Sequence, residues 1–263
     1  MVSLERSYAK ELHSNFKEYY ANFPPNRRVE LGDYGTVKNG IFSRIGPGAT
    51  LGVTLSESQV GHPGTFQFTS AGNVGIHLGG AGAIAGGLGK ANAKIEFGSS
   101  GGVFFVAAGA EVQEFADMGA LRKQVLELFF ADGWAPEWAL VTRRVVAEAL
   151  TLVVSQEPGA FIELEASGQA EISLSDPRAA LGVVARSSRS IGCQFVAERA
   201  TTPFVSLIRV KRRVFRHGVV VSHGGQTPLE NLSGERDRMR RAGVDLAERF
   251  ECGDIDGDDP FAW

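Results

Sequence analysis

The sequence lacks cysteine pairs, long apolar runs and an apolar leader. Its two cysteines, Cys193 and Cys252, lie far apart in dissimilar surroundings, which favours a reducing compartment over a disulfide-stabilised secreted fold. No uninterrupted apolar run reaches the ~18 residues that a membrane-spanning helix requires. Residues 1–6 begin a charged segment and not the apolar core of a signal peptide. We therefore expect a cytoplasmic protein that associates with a membrane only when activated.

The sequence also lacks a large excess of either charge. The formal net charge is −3 at pH 7, and the isoelectric point is near 6.0. Proteins that bind nucleic acid usually carry a strongly basic surface. Nucleic acid is therefore not an expected partner.

Motifs for catalysis, metal binding and cofactor binding are incomplete. The histidines at 13, 62, 77, 217 and 223 show none of the short spacings typical of a metal site. Residues 98–102 match G-x-S-x-G, but strands are predicted on both sides, whereas a nucleophile elbow needs a helix after the serine. Residues 80–85 fit G-x-G-x-x-A, but the glycines within 86–89 would destabilise the helix that a dinucleotide site requires. We assign no catalytic residue, metal or cofactor, and an enzyme with an unrecognised site is the less favoured reading.

Hydrophobic periodicity predicts an α+β fold made mainly of antiparallel β-sheet, either a sandwich or one large twisted sheet. Apolar residues recur every three to four positions over 3–23 and 117–130, which indicates an N-terminal and a central helix. A charged C-terminal helix is predicted from about residue 229 to 250. Segments with a period of two, separated by turn residues, fill most of the remainder. We expect one β-rich domain over 1–225, with a candidate sub-boundary near 117–134. Residues 226–263 are expected to form a charged helix and an acidic tail.

Glycine is abundant, with 33 residues in the chain, and a Gly/Ala tract at 79–89 precedes two candidate strands. Residues 90–97 alternate polar and apolar side chains, small residues follow at 98–102, and 103–115 return as the second strand. Each strand approaches or exceeds the ~9–11 tilted residues that cross a bilayer. We interpret the pair as an amphipathic β-hairpin used for membrane insertion or assembly, while an ordinary half-buried hairpin explains the same pattern. The residues assigned to this hairpin surface are Lys90, Ala91, Ala93, Lys94, Ile95, Phe97, Val103, Phe104, Phe105 and Val106.

A charge contrast marks the last quarter of the chain. A basic patch is predicted on the last strand, formed by Arg209, Lys211, Arg212, Arg213 and Arg216. The acidic end of the chain is interpreted as a lock that docks through its carboxylates and terminal aromatics, namely Asp254, Asp256, Asp258, Asp259, Phe261 and Trp263. The basic strand is a natural neighbour for this tail, or for phosphates and lipid headgroups. Two plainer readings stay open: Lys and Arg that protect a sheet edge, and a tail that is only solvated.

These features favour a non-enzymatic protein that acts by self-association, with a membrane-inserting pore former as the sharpest version. Its expected partners are further copies of the same chain and an anionic membrane surface. In size and two-part layout the chain resembles small gasdermin-like pore-forming proteins, although no sequence motif carries that resemblance. A β-sandwich module that binds a ligand or a partner protein is the alternative.

Overall fold

Uninterrupted apolar side chains, as over residues 103–108, produce strands that are buried on both faces and dominate the fold. The computed structural model describes residues 3–55, 58–70, 72–79, 92–166, 173–212, 214–216, 219–221, 229–243, 246 and 249–255. Within them the fold is α+β, mainly antiparallel sheet, with helices near the N-terminus, in the middle and near the C-terminus, as the sequence predicts. No helix in the described part of the chain has both the length and the apolar character needed to cross a membrane.

The elements follow one another along the chain in a strand-rich order. The strands are β1 (Tyr20–Asn22), β2 (Asp33–Lys38), β3 (Ile41–Pro47), β4 (Ser58–Val60), β5 (Gly64–Thr69), β6 (Val74–Gly79), β7 (Asn92–Phe97), β8 (Val103–Phe115), β9 (Trp138–Ser155), β10 (Ala160–Ala166), β11 (Val183–Arg189), β12 (Ile191–Arg212), β13 (Val214–Arg216), β14 (Val219–Val221) and β15 (Phe250–Asp254). The helices are α1 (Leu4–Asn15), α2 (Met118–Phe130), α3 (Pro177–Leu181) and α4 (Leu229–Arg241), with a 3-10 helix at Gly48–Leu51.

A central nine-stranded sheet organises the molecule. Its order is β15-β12-β1-β3-β2-β9-β8-β4, with β5 also paired to β8 and β12 also paired to β9. The pairing of β12 with β9 closes β12, β1, β3, β2 and β9 into a ring. Tyr20, Phe42, Val141 and Leu207, each from a different strand of this ring, belong to one buried cluster. The ring therefore holds one end of the long strands β9 and β12.

A second sheet of four strands, in the order β11-β10-β7-β6, lies against one face of the central sheet. Ile95 of β7 and Ile162 of β10 are fully buried and share a cluster with Phe104, Val106 and Val153 of the central sheet. We call this four-stranded unit the small sheet. The two sheets thus form a local sandwich with an apolar interior.

Helix α1 covers the opposite face of the central sheet. Tyr8 and Leu12 lie one turn apart and are fully buried, and the ring of Tyr8 stacks on that of Phe105 with centroids 5.9 Å apart. The helix ends at Asn15 and not at residue 23 as predicted. Residues 20–22 extend instead as β1, because Tyr20 and its neighbour pair with β12.

The C-terminal elements pack on α2. Leu232 of α4 and Phe250 of β15 share a buried cluster with Val125 and Phe129 of α2. The predicted central helix is confirmed as α2, with Asp117 as its N-cap. The predicted C-terminal helix over 229–250 is too long, since α4 ends at Arg241 and Phe250 begins the edge strand β15.

Candidate functional site

The hairpin predicted over residues 90–115 is wrong for this folded form. Within the described residues, β7 pairs with β6 and β10, whereas β8 pairs with β4, β5 and β9. Residues 98–102 therefore carry the chain from one sheet to the other and do not form a hairpin turn. The cause lies in β8, because its consecutive apolar residues are buried on both faces and need the middle of a large sheet.

The two sheets place the same four chain segments in the same order. In the central sheet the neighbours are β5, β8, β9 and β12, and in the small sheet they are β6, β7, β10 and β11. Each strand of the first set is joined in sequence to one strand of the second set. Residues 70–73 connect β5 to β6, and 98–102 connect β7 to β8. Residues 156–159 connect β9 to β10, and residue 190 connects β11 to β12. The small sheet is therefore the folded-over end of one four-stranded antiparallel ladder. We call the four connecting segments the crease.

Backbone hydrogen bonds run through the crease without changing partners. Ser70 N–H donates to Val103 O at 2.9 Å, as β5 pairs with β8. Gly98 N–H donates to Asn73 O at 2.8 Å, in the ladder of β6 and β7. The remaining links join Gly159 N–H to Phe97 O at 2.8 Å, Ser155 N–H to Gly102 O at 2.9 Å and Gln156 N–H to Ser190 O at 2.9 Å. A bend that keeps its ladder differs from a straight sheet mainly in local dihedral angles.

Among its described residues, each connecting segment has one in the left-handed region of φ. These residues are Gly72 at +70°, Gly101 at +76°, Gly159 at +75° and Ser190 at +53°. Three are glycine, which adopts positive φ without the penalty that a side chain introduces. A Cβ added at Gly72 or Gly159 would meet no atom within 4 Å. At Gly72 and Gly159 the bend therefore depends on backbone conformation and not on tight packing around them.

The small sheet is amphipathic. Its inner face is apolar, and Ala93, Ile95 and Phe97 of β7 lie there with exposures of 3% or less. Its outer face carries charged side chains: Lys94 pairs with Glu96 and lies 4.7 Å from the ring centroid of Phe161. The hydrogen bond and the charge of Lys94 lower the pKa of Glu96, with a smaller contribution from His77. Strand β7 thus has the alternation that its sequence predicts, one face for an apolar contact and one for water.

The structure separates the remaining hairpin residues into two environments. Phe104 and Val106 face the small sheet, whereas Val103 and Phe105 belong to the cluster under α1. Lys90 and Ala91 lie outside the described residues. Sequence reasoning missed the participation of β10 and β11, although residues 160–166 alternate as clearly as those of β7.

The predicted basic patch is not one exposed surface. Arg209 is only 5% exposed, and Lys211 lies opposite Glu251 in the ladder between β12 and β15. Arg212 and Arg216 lie on β12 and β13, and Arg213 falls outside the described residues. The patch was inferred from charge in sequence, which does not reveal that this part of β12 is paired with β9 and β15.

The predicted lock can be located only at its beginning. Asp254 ends β15 and forms an ion pair with Arg122 of α2 at 2.6 Å. Ile255 is 2% exposed, and its N–H donates to Leu207 O at 3.0 Å. Asp256, Asp258, Asp259, Phe261 and Trp263 lie outside the described residues. Strand β15 lies along residues 208–212 of β12, with Asp254 opposite Ile208, and docking of the acidic tail as a lock stays a prediction.

The cysteines are poorly suited to nucleophilic chemistry. Burial raises the pKa of Cys193 to about 11 and that of Cys252 to about 12. Both thiols are therefore protonated at neutral pH, whereas a catalytic cysteine acts as its thiolate. No group of three His, Cys, Asp or Glu side chains suited to holding a metal occurs among the residues that the structure describes.

Comparisons with known proteins give little guidance. No family model matches the chain, and no curated protein matches it. The solved structure of a bacterial gasdermin from Bradyrhizobium tropiciagri is similar to this chain at 15% sequence identity, covering 82% of this chain and 89% of that one, with a TM-score of 0.33. A TM-score this low carries no conclusion about function.

Proposed function

We propose that this protein is a self-assembling pore former that inserts the small sheet into a membrane. In the inserted state the crease straightens, so that the four strands of the small sheet extend the long strands of the central sheet. The extended segments 64–79, 92–115, 138–166 and 183–212 would each exceed the ~9–11 tilted residues that cross a bilayer. The observation that carries the proposal is the unchanged strand order and hydrogen-bond ladder across the crease.

The two faces of the small sheet fit the two environments of a pore wall. Straightening would turn the apolar face with Ile95 and Ile162 from the central sheet toward lipid, while Lys94 and Glu96 would face water. Strands that cross membranes show this alternation of apolar and polar side chains. Lipid would then replace the central sheet as the apolar partner of this face.

Self-association follows from the edges of the same sheet. β6 and β11 are its outer strands, and each has one edge that is unpaired within the described residues. Unpaired strand edges cannot face lipid, because their N–H and C=O groups would lose hydrogen bonds there. Pairing of β6 in one copy with β11 in the next would satisfy both edges and form a closed ring of identical copies.

The C-terminal region is proposed as the lock, with 1–225 as the inserting part and 226–263 as the regulatory part. Phe250 and Cys252 dock through apolar burial, with exposures of 0% and 7%. The Arg122–Asp254 pair is partly exposed, and such pairs contribute only ~0.2–1 kcal/mol. Apolar contacts of β15 therefore dominate the docking.

A dye-release assay tests this function. The full chain and a chain cut after Arg249, which removes β15 and the tail, are mixed with vesicles of neutral or of anionic lipid. We expect the cut chain to release dye at least roughly tenfold faster, mainly from anionic vesicles, and to form a large assembly only with lipid. Asp254→Asn, which removes one exposed ion pair and keeps β15, is expected to change release by less than about fivefold. A chain that stays monomeric and inactive on both lipids in both versions would refute the proposal.

The crease makes a second expectation possible. Valine strongly disfavours positive φ, at about 1–2 kcal/mol per residue, but it favours the extended conformation of a straight strand. Gly72→Val together with Gly159→Val should therefore lower the stability of the folded form and accelerate dye release several-fold. Gly52→Val is the matched control, since Gly52 has φ at +88°, has no atom within 4 Å of an added Cβ and lies outside the crease. Dye release is compared between the crease variant and Gly52→Val under conditions where both have lost the same folding stability. Equal rates of release would show that the crease is not the part that moves.

A further inference from the structure

Helix α3 belongs to the small sheet by sequence but packs on the central sheet. It lies in the connection between β10 and β11, at the end of the small sheet that is farthest from the crease. Ala166 ends β10 six positions beyond Ala160 at the crease, and Ala149 lies six positions before the crease end of β9. The fold-over therefore brings the end of β10 to the level of Ala149, where α3 contacts β8, β9 and β12.

The position under α3 is made of small residues. Ala180 of α3 is 2% exposed and forms a buried cluster with Ala108 of β8 and Ala149 of β9, which lie opposite each other in the ladder. Pro177 lies closer still, since a Cβ added at Gly109 would stand 2.8 Å from its Cγ. Two carbon atoms of different side chains do not approach to this distance, so only glycine leaves room for the helix. We call Ala108, Gly109 and Ala149 the α3 seat.

The backbone of β8 is bent where it forms the α3 seat. Gly109 has φ at +58°. A regular strand points residues three positions apart to opposite faces, but Ala107 and Ala110 both belong to the buried cluster under α1. The alternation thus breaks at Gly109, which leaves Ala108 and Gly109 together on the face toward α3. The central sheet therefore has a shaped position for this helix and not only a flat apolar surface.

Helix α3 is stabilised by its own sequence. The carboxylate of Asp176 accepts hydrogen bonds from the N–H groups of Arg178 at 2.9 Å and of Ala179 at 3.1 Å. Pro177 follows this cap in the first turn, where its fixed φ favours a helix. None of these caps uses a group of the α3 seat, so the helix can leave the seat as an intact turn.

We propose that α3 is a latch: its contact with the α3 seat holds the small sheet folded over, and this contact opens before the crease straightens. The requirement for opening rests on the pore formation proposed above, whereas the holding contact concerns the folded chain alone. The latch moves with the small sheet because α3 joins β10 to β11, while the seat stays with β8 and β9. Alanine and glycine bury little apolar area, so the contact is close but weak, as a restraint that opens must be.

The latch and the C-terminal lock are separate restraints. Leu232 and Phe250 pack with α2 in one buried cluster, and Ala180 packs in another cluster that shares no residue with the first. Changes at sites without common partners usually add in free energy, so their effects on a rate multiply. A change that opens the latch should therefore accelerate dye release by the same factor in the full chain and in the chain cut after Arg249.

Ala180→Glu tests the latch, because glutamate is a good helix former but its carboxylate does not fit the alanine cluster. We expect dye release to rise about fivefold or more in both chain lengths, because a charge without a partner is costly to bury. Hydrogen exchange of the lipid-free protein should increase over 160–166 and 183–189 but not over β2 and β3. Ala179→Glu is the matched control, since Ala179 is the neighbouring residue and lies outside the cluster. It should change release and exchange less than about twofold.

A reversible cross-link tests the converse and does not depend on the folding of Ala180→Glu. Thr65 of β5 and Ser175 are exposed, and Thr65 Oγ1 donates to Ser175 O at 3.1 Å. Thr65→Cys with Ser175→Cys, joined by a bis-maleimide whose spacer contains a disulfide, ties the segment before α3 to β5. In the chain cut after Arg249, the cross-link should prevent dye release, and reduction of the spacer should restore it. Each single-cysteine variant treated with the same reagent controls for modification, including that of the native cysteines.

The two experiments distinguish failure of the latch from failure of pore formation. Equal dye release by the cut chain with and without the intact cross-link overturns the latch and leaves pore formation standing. If the cut chain releases no dye at all, pore formation fails, and hydrogen exchange of the lipid-free Ala180→Glu chain then decides. Faster exchange in the small sheet than in Ala179→Glu supports the latch, and equal exchange overturns it.

Discussion

Ile95→Asp is expected to remove about 4 kcal/mol or more of folding free energy, the size typical of an unpaired charge placed in a core. Ile95 is fully buried between the two sheets and pairs across the ladder with Ile76 and Ile162. Lys94→Gln is the matched change on the outer face, where a half-exposed pair with Glu96 is lost. It should cost less than about 1 kcal/mol. Urea unfolding measures both, and equal tolerance would show that the two faces are not distinguished.

Ile76→Asp separates insertion from folding, which Ile95→Asp cannot do. Ile76 shares the inner face with Ile95 but is 51% exposed at the edge of the small sheet. An aspartate there should leave the folded form nearly as stable, yet it would face lipid after insertion at a cost of about 2 kcal/mol per copy. Dye release should therefore fall more than tenfold, whereas His77→Asp on the outer face should preserve it. Normal release by Ile76→Asp would contradict insertion of this face.

The sequence predicted local structure well wherever a single face was buried. The alternation over residues 92–97 placed Ala93, Ile95 and Phe97 together, and the structure buries all three in one cluster. The period of α2 was also readable, because helix periodicity depends on neighbours within four residues. The α+β class followed from the number of such segments and is confirmed.

Pairing between strands could not be read in the same way. Val103, Phe104, Phe105 and Val106 are consecutive apolar residues, a pattern of a strand buried on both faces that does not name its partners. Proximity in sequence suggested β7, but β8 pairs with β9 across the intervening helix α2. The crease became visible only with the topology, although glycines at 72, 101 and 159 mark three of its four segments.

Sequence reasoning placed the acidic end beside the basic strand. Strand β15 lies along that strand, but Asp254 pairs with Arg122 of α2, and the lock stays a prediction. Sequence reasoning missed that the contact begins with Phe250 and that Arg209 is buried, because composition shows charge and not the direction of a side chain. Pore formation, self-assembly and the two-part division of the chain stay predictions.

Arg236→Met is expected to destabilise the folded form by about 2–3 kcal/mol, the cost of leaving a buried carbonyl and a charged partner without their donor. Arg236 of α4 is 5% exposed. Its guanidinium donates to the backbone carbonyl oxygen of Phe129 at 2.7 Å and lies 5.0 Å from the centroid of the Phe129 ring. It also pairs with Asp132. These contacts hold α4 on the C-terminal end of α2, where the helix dipole also favours a cation.

The same substitution tests whether the C-terminal region is the lock. α4 and β15 share one buried cluster on α2, so loosening α4 should raise hydrogen exchange in residues 250–254 and accelerate dye release several-fold. Arg238→Met is the matched control, since Arg238 is exposed and donates to Gly234 O at 3.2 Å within its own helix. Thermal unfolding, exchange and release are measured on both variants. If Arg236→Met loses stability and frees β15 but releases dye no faster than the native chain, docking of the C-terminal region does not restrain the pore-forming state.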